Sequence, residues 1–467
     1  MSLKLLTINK IGIAISKEKR LDAAYYFVNA VFDELEKKSS CKVKTLDELR
    51  VRISSGSYVD TYINKQDGVP YLRVGNIKPF TIDEQDKSLV FVSSNVPEKI
   101  KVKENDLIMG RTQATVEKLG VASLIDKYIE GSVISQHVSK VTTDNNISPF
   151  YLIGFLNSKF YKAQTSLATH GDTRVELTHS QLRKVRVFIP NEEVVKNIEG
   201  KVKKIIETNR HSIYKINEAK RILKHDIDII SNNKNKYFSV SLSTIQDFGI
   251  WNSRSHLPKY VDIENEINSK FETVPLEKIS SIEKGIEIGS DNYQTELFKE
   301  DGDYAFIRTS DITNYEVDIF PDYFVSRTIA ESLNNTAEAG EIIFSKDGII
   351  GETAIISKYD KVVIGSGFVK IKLNSDAFSY NITPEYLFTI LLLDETGFFP
   401  AIRRTVIAST IPHLRVERLK KIRIPIVDKD SIDKITELIK EAYELKDEKK
   451  KLIIEIRKEI DSYYNII

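Results

Sequence analysis

The chain of 467 residues carries one cysteine, two methionines, one tryptophan and seven histidines. A lone Cys41 excludes an intramolecular disulfide framework and any multi-cysteine zinc site, which fits a reducing compartment. The histidines are scattered, and His170, His179 and His256 read as polar surface residues rather than metal ligands. Charge of one sign is missing as well. With 68 basic against 67 acidic residues, a strongly basic, self-sufficient nucleic-acid binder is excluded, so any grip on phosphate has to be local or shared with a partner. No stretch of 18 uncharged apolar residues occurs, and the opening MSLKLLTINKIGIAIS has no long apolar run with a small-residue cleavage site. The expectation is a cytoplasmic protein without a membrane partner.

The usual catalytic signatures are absent too. There is no Gly-rich phosphate loop ending in Lys-Ser or Lys-Thr, no Asn-Pro-Pro-aromatic tetrapeptide, no Gly-x-Ser-x-Gly and no His-Glu-x-x-His. Gly365-Ser366-Gly367 is flanked by strand-forming residues on both sides and reads as a strand bend. Pro321-Asp322 has no Glu-x-Lys downstream of the kind a nuclease site needs. No catalytic or metal site is expected.

What the chain does have is a repeat. Steps of three and four from Val195 pick out Ile198, Val202, Ile205, Asn209, Ser212, Ile216, Ala219, Leu223, Asp226 and Ile230, an apolar seam with a polar centre on a helix running from Glu192 to Ile230. Displaced by 237 positions, Ser431 to Ile467 repeats it as Ile432, Ile435, Ile439, Ala442, Lys446, Lys449, Ile453, Ile456, Ile460, Tyr463 and Ile467. Helices of about 35 to 40 residues span on the order of 55 Å and need a partner along their length. The nearest partner for each is the other, packed antiparallel, with Asn209 and Ser212 in the layers of Lys446 and Lys449. Replacing those four residues by Leu and Ile is expected to raise stability while loosening the register they set.

The segments before the helices repeat as well. Leu72-Arg73-Val74 is answered by Ile307-Arg308-Thr309, Asp106-Leu107-Ile108 by Glu341-Ile342-Ile343, and Pro149 with Tyr151 by Pro384 with Tyr386, at an offset of 235. Arg20 to Tyr26 is answered by Arg254 to Tyr260, although Arg20-Leu21-Asp22 degrades to Ser255-His256-Leu257-Pro258. In the first copy, 69–74, 106–111, 121–125, 133–141 and 182–190 read as strands and 149–162 as helix. A period this long means two whole domains rather than a solenoid. Polar turns recur at matching places: Arg73 and Asn76 with Arg308 and Asp311, Gly110-Arg111-Thr112-Gln113 with Ser345-Lys346-Asp347-Gly348, and Ser135-Gln136-His137 with Ser366-Gly367-Phe368. Arg and Lys suit phosphate or guanine edges, and Asn or Gln can bind adenine bidentately. Any one such loop is equally at home as ordinary solvated surface.

Two dissimilar α/β domains, one with Tyr71-Leu72-Arg73-Val74-Gly75-Asn76-Ile77 and each closing on Leu182-Arg183-Lys184-Val185-Arg186-Val187-Phe188-Ile189-Pro190 or Leu419-Lys420-Lys421-Ile422-Arg423-Ile424-Pro425 before a long helix, resemble the specificity subunit of type I restriction-modification systems. The resemblance covers essentially the whole chain. It implies an α+β fold: two mixed α/β target-recognition domains in pseudo-twofold tandem repeat, separated by two long antiparallel coiled-coil helices. The expected division is 1–43 as an N-terminal segment, 44–190 as the first recognition domain, 191–235 as the central helix, 236–270 as a crossover, 271–428 as the second recognition domain and 429–467 as the last helix. Each domain would read one half of a bipartite double-stranded DNA target, with the helices fixing the gap. The implied partners are methyltransferase subunits and restriction/translocase subunits. No cofactor is expected on this chain, S-adenosylmethionine, ATP and Mg being carried by those partners. The candidate DNA contacts are Ser55, Tyr58, Arg73, Asn76, Arg111, Thr112, Gln113, Gln136, His137 and Arg174 in the first domain. In the second they are Lys284, Tyr293, Arg308, Ser310, Asp311, Ser345, Lys346, Ser366, Arg403 and Arg404. Other classes remain open at this level: a specificity unit of a type IIB-like system, an enzyme with unrecognised motifs, or a coiled-coil adaptor carrying two protein-binding domains.

Overall fold

The computed structural model describes residues 23–39, 41–113, 118–168, 175–229, 237–288, 303–321, 323–407 and 411–463. In the first half the strands are β1 (Lys42–Thr45), β2 (Arg52–Ser55), β3 (Val69–Leu72), β4 (Val90–Val92), β5 (Leu107–Gly110), β6 (Thr112–Gln113), β7 (Ala122–Leu124), β8 (Val133–Ile134), β9 (Val138–Thr142), β10 (Val175–Glu176) and β11 (Arg186–Ile189). The second half contributes β12 (Thr273–Pro275), β13 (Ser280–Lys284), β14 (Tyr304–Ile307), β15 (Ile312–Thr313), β16 (Glu316–Val317), β17 (Tyr323–Val325), β18 (Thr336–Ala337), β19 (Ile342–Ser345), β20 (Thr353–Ile355), β21 (Val362–Ile364), β22 (Phe368–Leu373), β23 (Val406–Ile407), β24 (Pro412–His413) and β25 (Arg423–Pro425).

The two halves have the same wiring. A four-stranded sheet has the order β2-β9-β5-β7 in the first half and β13-β22-β19-β20 in the second. A smaller sheet is ordered β4-β3-β8 and then β17-β14-β21-β18, and a two-stranded ribbon is β1-β11 and then β12-β25. The β3–β8 and β14–β21 pairs are parallel, whereas the larger sheets β2-β9-β5-β7 and β13-β22-β19-β20 and the ribbons are antiparallel throughout. Side-chain contacts repeat with the strands. Tyr151 donates its hydroxyl to the Phe188 carbonyl oxygen, as Tyr386 does to that of Pro425 at 2.9 Å. Ser148 and Thr383 cap the helices Pro149–Leu156 and Pro384–Leu392, each of which has proline in its first turn.

Three local readings of the sequence need correction. Residues 133–141 are two strands in different sheets, because Ser135-Gln136-His137 carries the chain from β8 across to β9. Residues 182–190 begin as the end of a capped helix, His179–Arg183, and become strand only at Arg186. Residues 149–162 belong to two helices, Pro149–Leu156 and Lys159–Ala168, broken where the Ser158 hydroxyl donates to the Phe155 carbonyl oxygen at 2.7 Å.

The central helix, Glu192–Ile227, has 36 residues and the last helix, Lys429–Ser462, has 34. Asn191 and Asp428 begin them in the same way, their side chains accepting from the amides of Val194 and Ser431 at 3.0 Å each. Along the seam, Ile198, Val202, Ile205, Ile216, Ala219 and Leu223 are buried, as are Ile432, Ile435, Ile439, Ala442, Ile453, Ile456 and Ile460. Ile230, Ile467 and the polar segment 231–236 lie outside the described residues.

Two compact units divide the chain. One gathers Met1–Ile77, Val92–Gly200 and Ile456–Ile467; the other gathers Lys78–Phe91 and Lys201–Glu455. In the first, Phe160 packs edge-on against Phe32 and Phe188, with ring centroids 4.8 and 4.7 Å away. Gly154 lies against Ile198, Ile456 and Ile460, so a β-carbon there would sit 3.2 to 3.4 Å from their side chains. Asn197 donates to Glu459 at 3.1 Å. In the second unit the helix partners run oppositely in number, Lys201 with Glu455, Lys204 with Glu448 and Lys215 with Glu441, which makes the pairing antiparallel. Its main core joins Ile216, Ala219 and Leu223 to Ile432, Ile435 and Ile439 and to the domain's own Phe344, Tyr386 and Phe388. Among the described residues no helix is long and apolar enough to cross a membrane.

Candidate nucleic-acid interface

In both halves several of the described polar candidates gather where the small sheet hands the chain to the large one. The backbone there is the same. Ser135 donates its amide to the Leu72 carbonyl oxygen at 3.0 Å and Gly365 to that of Ile307 at 2.9 Å; Gly56 donates to Val138 at 3.2 Å and Gly285 to Phe368 at 3.0 Å. Two glycines make the crossing possible. A β-carbon on Gly56 would stand 2.0 Å from the Ile134 carbonyl oxygen, and one on Gly285 would stand 2.1 Å from that of Gly365. Because Gly110 pairs with Val138 and Ser345 with Phe368, His137 answers Gly367, one residue off the register that the sequence comparison uses. Gly365-Ser366-Gly367 is therefore this crossing turn, not a bend within one strand.

From the large sheet, β5 and β19 each run on into a short pairing with a segment near the end of the domain. Thr112 faces Glu176, and Asp347 faces His413. Arg111 donates its amide to the His137 carbonyl oxygen at 3.0 Å, and Lys346 donates to that of Gly367 at 2.8 Å. On this shared frame the side chains differ. Arg111 donates to Ser55 Oγ at 3.0 Å and to Glu176 Oε1 at 2.8 Å. His179 Nε2 lies 3.1 Å from both Ser55 Oγ and Ser139 Oγ. Burial, followed by the positive charges of Arg111 and Arg183, pushes the His179 pKa below the usual histidine value, so the ring is neutral at neutral pH. In the second half Lys346 forms an ion pair with Asp347, whose other oxygen is 2.9 Å from His413 Nδ1.

The candidates sort by exposure. Tyr58, Gln136, Lys284 and Ser310 are exposed; Ser55, Arg73, Arg111, Thr112, Gln113, His137, Arg308 and Ser366 are partly so. Gln136 Nε2 is 3.2 Å from His137 Nε2, and the Arg308 guanidinium lies 4.3 Å from the centroid of the Tyr323 ring. Asn76 and Asp311 are buried and tie down the turns that follow β3 and β14, accepting from the amides of Arg73 and Arg308 at 2.9 and 2.8 Å. Ser345 is buried and donates to the Ile349 carbonyl oxygen at 2.5 Å, and Lys346 is 6% exposed. Arg403 and Arg404 both pair with Glu264, and the Arg403 guanidinium covers the Phe248 ring at 4.2 Å, so both are engaged in contacts within the domain. Arg174 and Tyr293 lie outside the described residues. Sequence reasoning passed over Glu176 and His413 and read His179 as a surface residue, whereas it is part-buried against Ser55 and Ser139; the signal available was that Glu176 and His413 stand 237 positions apart, the same offset as the helices.

The helix centre is the second polar site. Lys449 donates to Asn209 Oδ1 at 2.8 Å and pairs with Glu316, while Lys446, fully buried, donates to the Asn314 carbonyl oxygen at 2.6 Å. Ser212, also fully buried, returns its hydroxyl to the Asn209 carbonyl oxygen at 2.8 Å. Burial alone would push the Glu316 carboxyl up; Lys446, Lys449 and Lys450 override it and hold it below the usual range. Among the described residues no cluster of three metal-ligating side chains is present.

Residues 268–458 match the family described as type I restriction modification DNA specificity domain. No curated protein matches the chain. Among solved structures, the S subunit of a type I restriction-modification system from M. genitalium is similar at 14% identity over 91% of this chain and 96% of that one, with a TM-score of 0.37. The HsdS subunit from Thermoanaerobacter tengcongensis is similar at 14% identity over 89% and 97%, with a TM-score of 0.28. The matched stretch carries the DNA specificity domain, and the first half of the chain repeats its strand order.

Proposed function

We propose that each recognition domain reads one half of a split, asymmetric DNA sequence through the crossing between its two sheets, and that the paired helices set the gap between the halves. One observation carries this reading: the same backbone hydrogen bonds hold Arg111 against His137 in one half and Lys346 against Gly367 in the other, and the side chains that reach the surface there differ, Arg111, Gln136 and His137 in the first and Ser366 in the second. A constant frame with different side chains is what two unlike half-sites require. The chain supplies no catalytic group. Methyltransferase subunits carrying S-adenosylmethionine would modify adenine, and restriction subunits using ATP and Mg would cleave, with the complex working in the cytoplasm. With a net charge of +1 the chain alone should hold DNA weakly, and the methyltransferase subunits would share the phosphate contacts.

The test is to assay the purified chain with and without its methyltransferase subunit on random duplex DNA and to sequence the methylated sites. The complex should methylate adenine in one interrupted, asymmetric sequence, and the chain alone should methylate nothing. Methyl transfer by the chain alone, or a continuous target, rejects the reading.

A further inference from the structure

Residues 78–91 interrupt the first half in sequence yet belong to the second unit, while their neighbours Ile77 and Val92 belong to the first. This arm is not loosely laid down. Phe80 and Ile82 are buried at 0% and 2% exposure, and its polar groups are matched one by one. Asn314 donates its amide to Asp83 Oδ1 at 3.2 Å and its side-chain nitrogen to the Ile82 carbonyl oxygen at 2.9 Å, and its side-chain oxygen accepts from the Glu84 amide at 3.3 Å. Tyr315 donates to Gln85 Oε1 at 2.8 Å, and Lys78 donates to the Ser310 carbonyl oxygen at 3.2 Å. Arg210 on the central helix grips Glu84 with two parallel bonds of 2.7 and 3.0 Å.

The place gripped is the polar middle of the helix pair. Arg210 follows Asn209, which accepts from Lys449, and Asn314 is the residue whose carbonyl oxygen accepts from Lys446. The arm thus touches the central helix directly and the last helix through Asn314. We propose that residues 78–91 are a clasp that holds the centre of the helix pair in register, and that Glu84 and Arg210 thereby determine which gap between half-sites the protein accepts. The second clause rests on the helix pair acting as a spacer, as proposed above. Heptad packing alone tolerates sliding by whole turns of about 5.4 Å, since one apolar layer resembles the next. Directional bonds from a segment outside the helices do not. A bidentate Arg-carboxylate pair, with side chains 16% and 21% exposed, fixes both distance and orientation.

The test uses the full chain with its methyltransferase subunit and the variants Glu84→Arg, Arg210→Glu and the two combined. Hydrogen exchange is read at residues 78–91 and 201–215, and methylation is read on targets whose gap is lengthened or shortened by one base pair. Each single variant should speed exchange in both segments by on the order of tenfold, equivalent to about 1.4 kcal/mol of lost protection, and should extend methylation to the altered gaps. The combined variant should restore slow exchange and the parental gap. Unchanged exchange in both single variants overturns the clasp. Faster exchange with an unchanged gap requirement overturns its role in spacing. A parent complex with no interrupted target would instead sink the spacer reading and leave the clasp standing on the exchange data.

Discussion

Phe80 and Tyr315 stand 235 positions apart at the same point of the two repeats, and both hold left-handed backbone, with φ of 69° and 64°. Each is an aromatic residue in a conformation that costs an L-amino acid about 1–2 kcal/mol, so the surroundings have to compensate. For Tyr315 they do so visibly. Its hydroxyl bonds to Gln85, its carbonyl oxygen accepts from Tyr443 at 2.6 Å, and its ring meets Phe388 edge-on at 6.3 Å. Phe80 relies on complete burial.

Phe80→Gly separates the two effects at that position. Glycine removes the backbone cost of about 1–2 kcal/mol but also a fully buried ring worth about 3–5 kcal/mol. Packing is the larger, so the variant should lose roughly 2–3 kcal/mol by denaturant midpoint. A variant as stable as the parent would mean that the ring contributes no more than its strain costs.

Around the arm, two carboxyls titrate in an unusual direction. Burial, against the pull of Lys78, pushes Asp83 up to about 6, and burial, against Lys87, pushes Glu352 up to about 7. A carboxyl whose folded value exceeds its unfolded one keeps its proton longer when folded. Its contribution to stability is therefore fully present below the ordinary value of 3.8 or 4.5 and is lost as pH rises to about 6 for Asp83 and about 7 for Glu352. Glu352→Gln should raise the melting temperature near pH ~8 and leave it unchanged near pH ~4. A lower melting temperature near pH ~8 would count against the raised value.

Glu316 changes what is expected of the polar layer. From the seam alone, Leu and Ile at Asn209, Ser212, Lys446 and Lys449 should stabilise the pair. The structure places the 3%-exposed Glu316 among those lysines, so removing them leaves its buried charge with Lys450 alone. Stripping partners from a buried charge costs about 3–5 kcal/mol. The fourfold variant should melt below the parent, and adding Glu316→Met should recover most of the loss. If the fivefold variant melts no higher than the fourfold one, the carboxylate is not the cause.

In the proposed reading, Glu176, which pairs with Arg111 at 2.8 Å, competes with phosphate or base for that guanidinium. Arg111→Gln should weaken DNA binding by the complex and lower the slope of log affinity against log salt by about 1. Glu176→Gln should strengthen binding by releasing the guanidinium. Opposite outcomes for the two would show that the pair is a fixed strut rather than a contact in waiting.

Much of this architecture could be read from residues. The seam of the long helices and the strands around Leu72 and Ile307 announce themselves through period and repetition. What could not be read was position in space. Asn76, Asp311, Ser345 and Lys346 have the side chains of a binding surface but face inward, because polarity does not distinguish a solvated group from one that satisfies buried backbone. Residues 78–91 look like any loop between strands, since Arg210 and Asn314 lie over a hundred positions away. The lysines of the last helix signalled a polar layer, but their counter-ion Glu316 sits in a different domain of the sequence and had no periodic mark.

On the proposed reading, the crossing glycines bear on how the target could change. At Gly56 and Gly285 a β-carbon would collide with a carbonyl oxygen at 2.0 and 2.1 Å, whereas Tyr58, Gln136 and Lys284 beside them are exposed. On the proposed reading, mutation is thereby channelled: drift in the exposed positions would rewrite what is read and leave the sheets intact. A randomised library that holds the two glycines and varies those neighbours should keep its members folded while their proposed contacts change, and one that varies the glycines should spend most of its members on chains that cannot close.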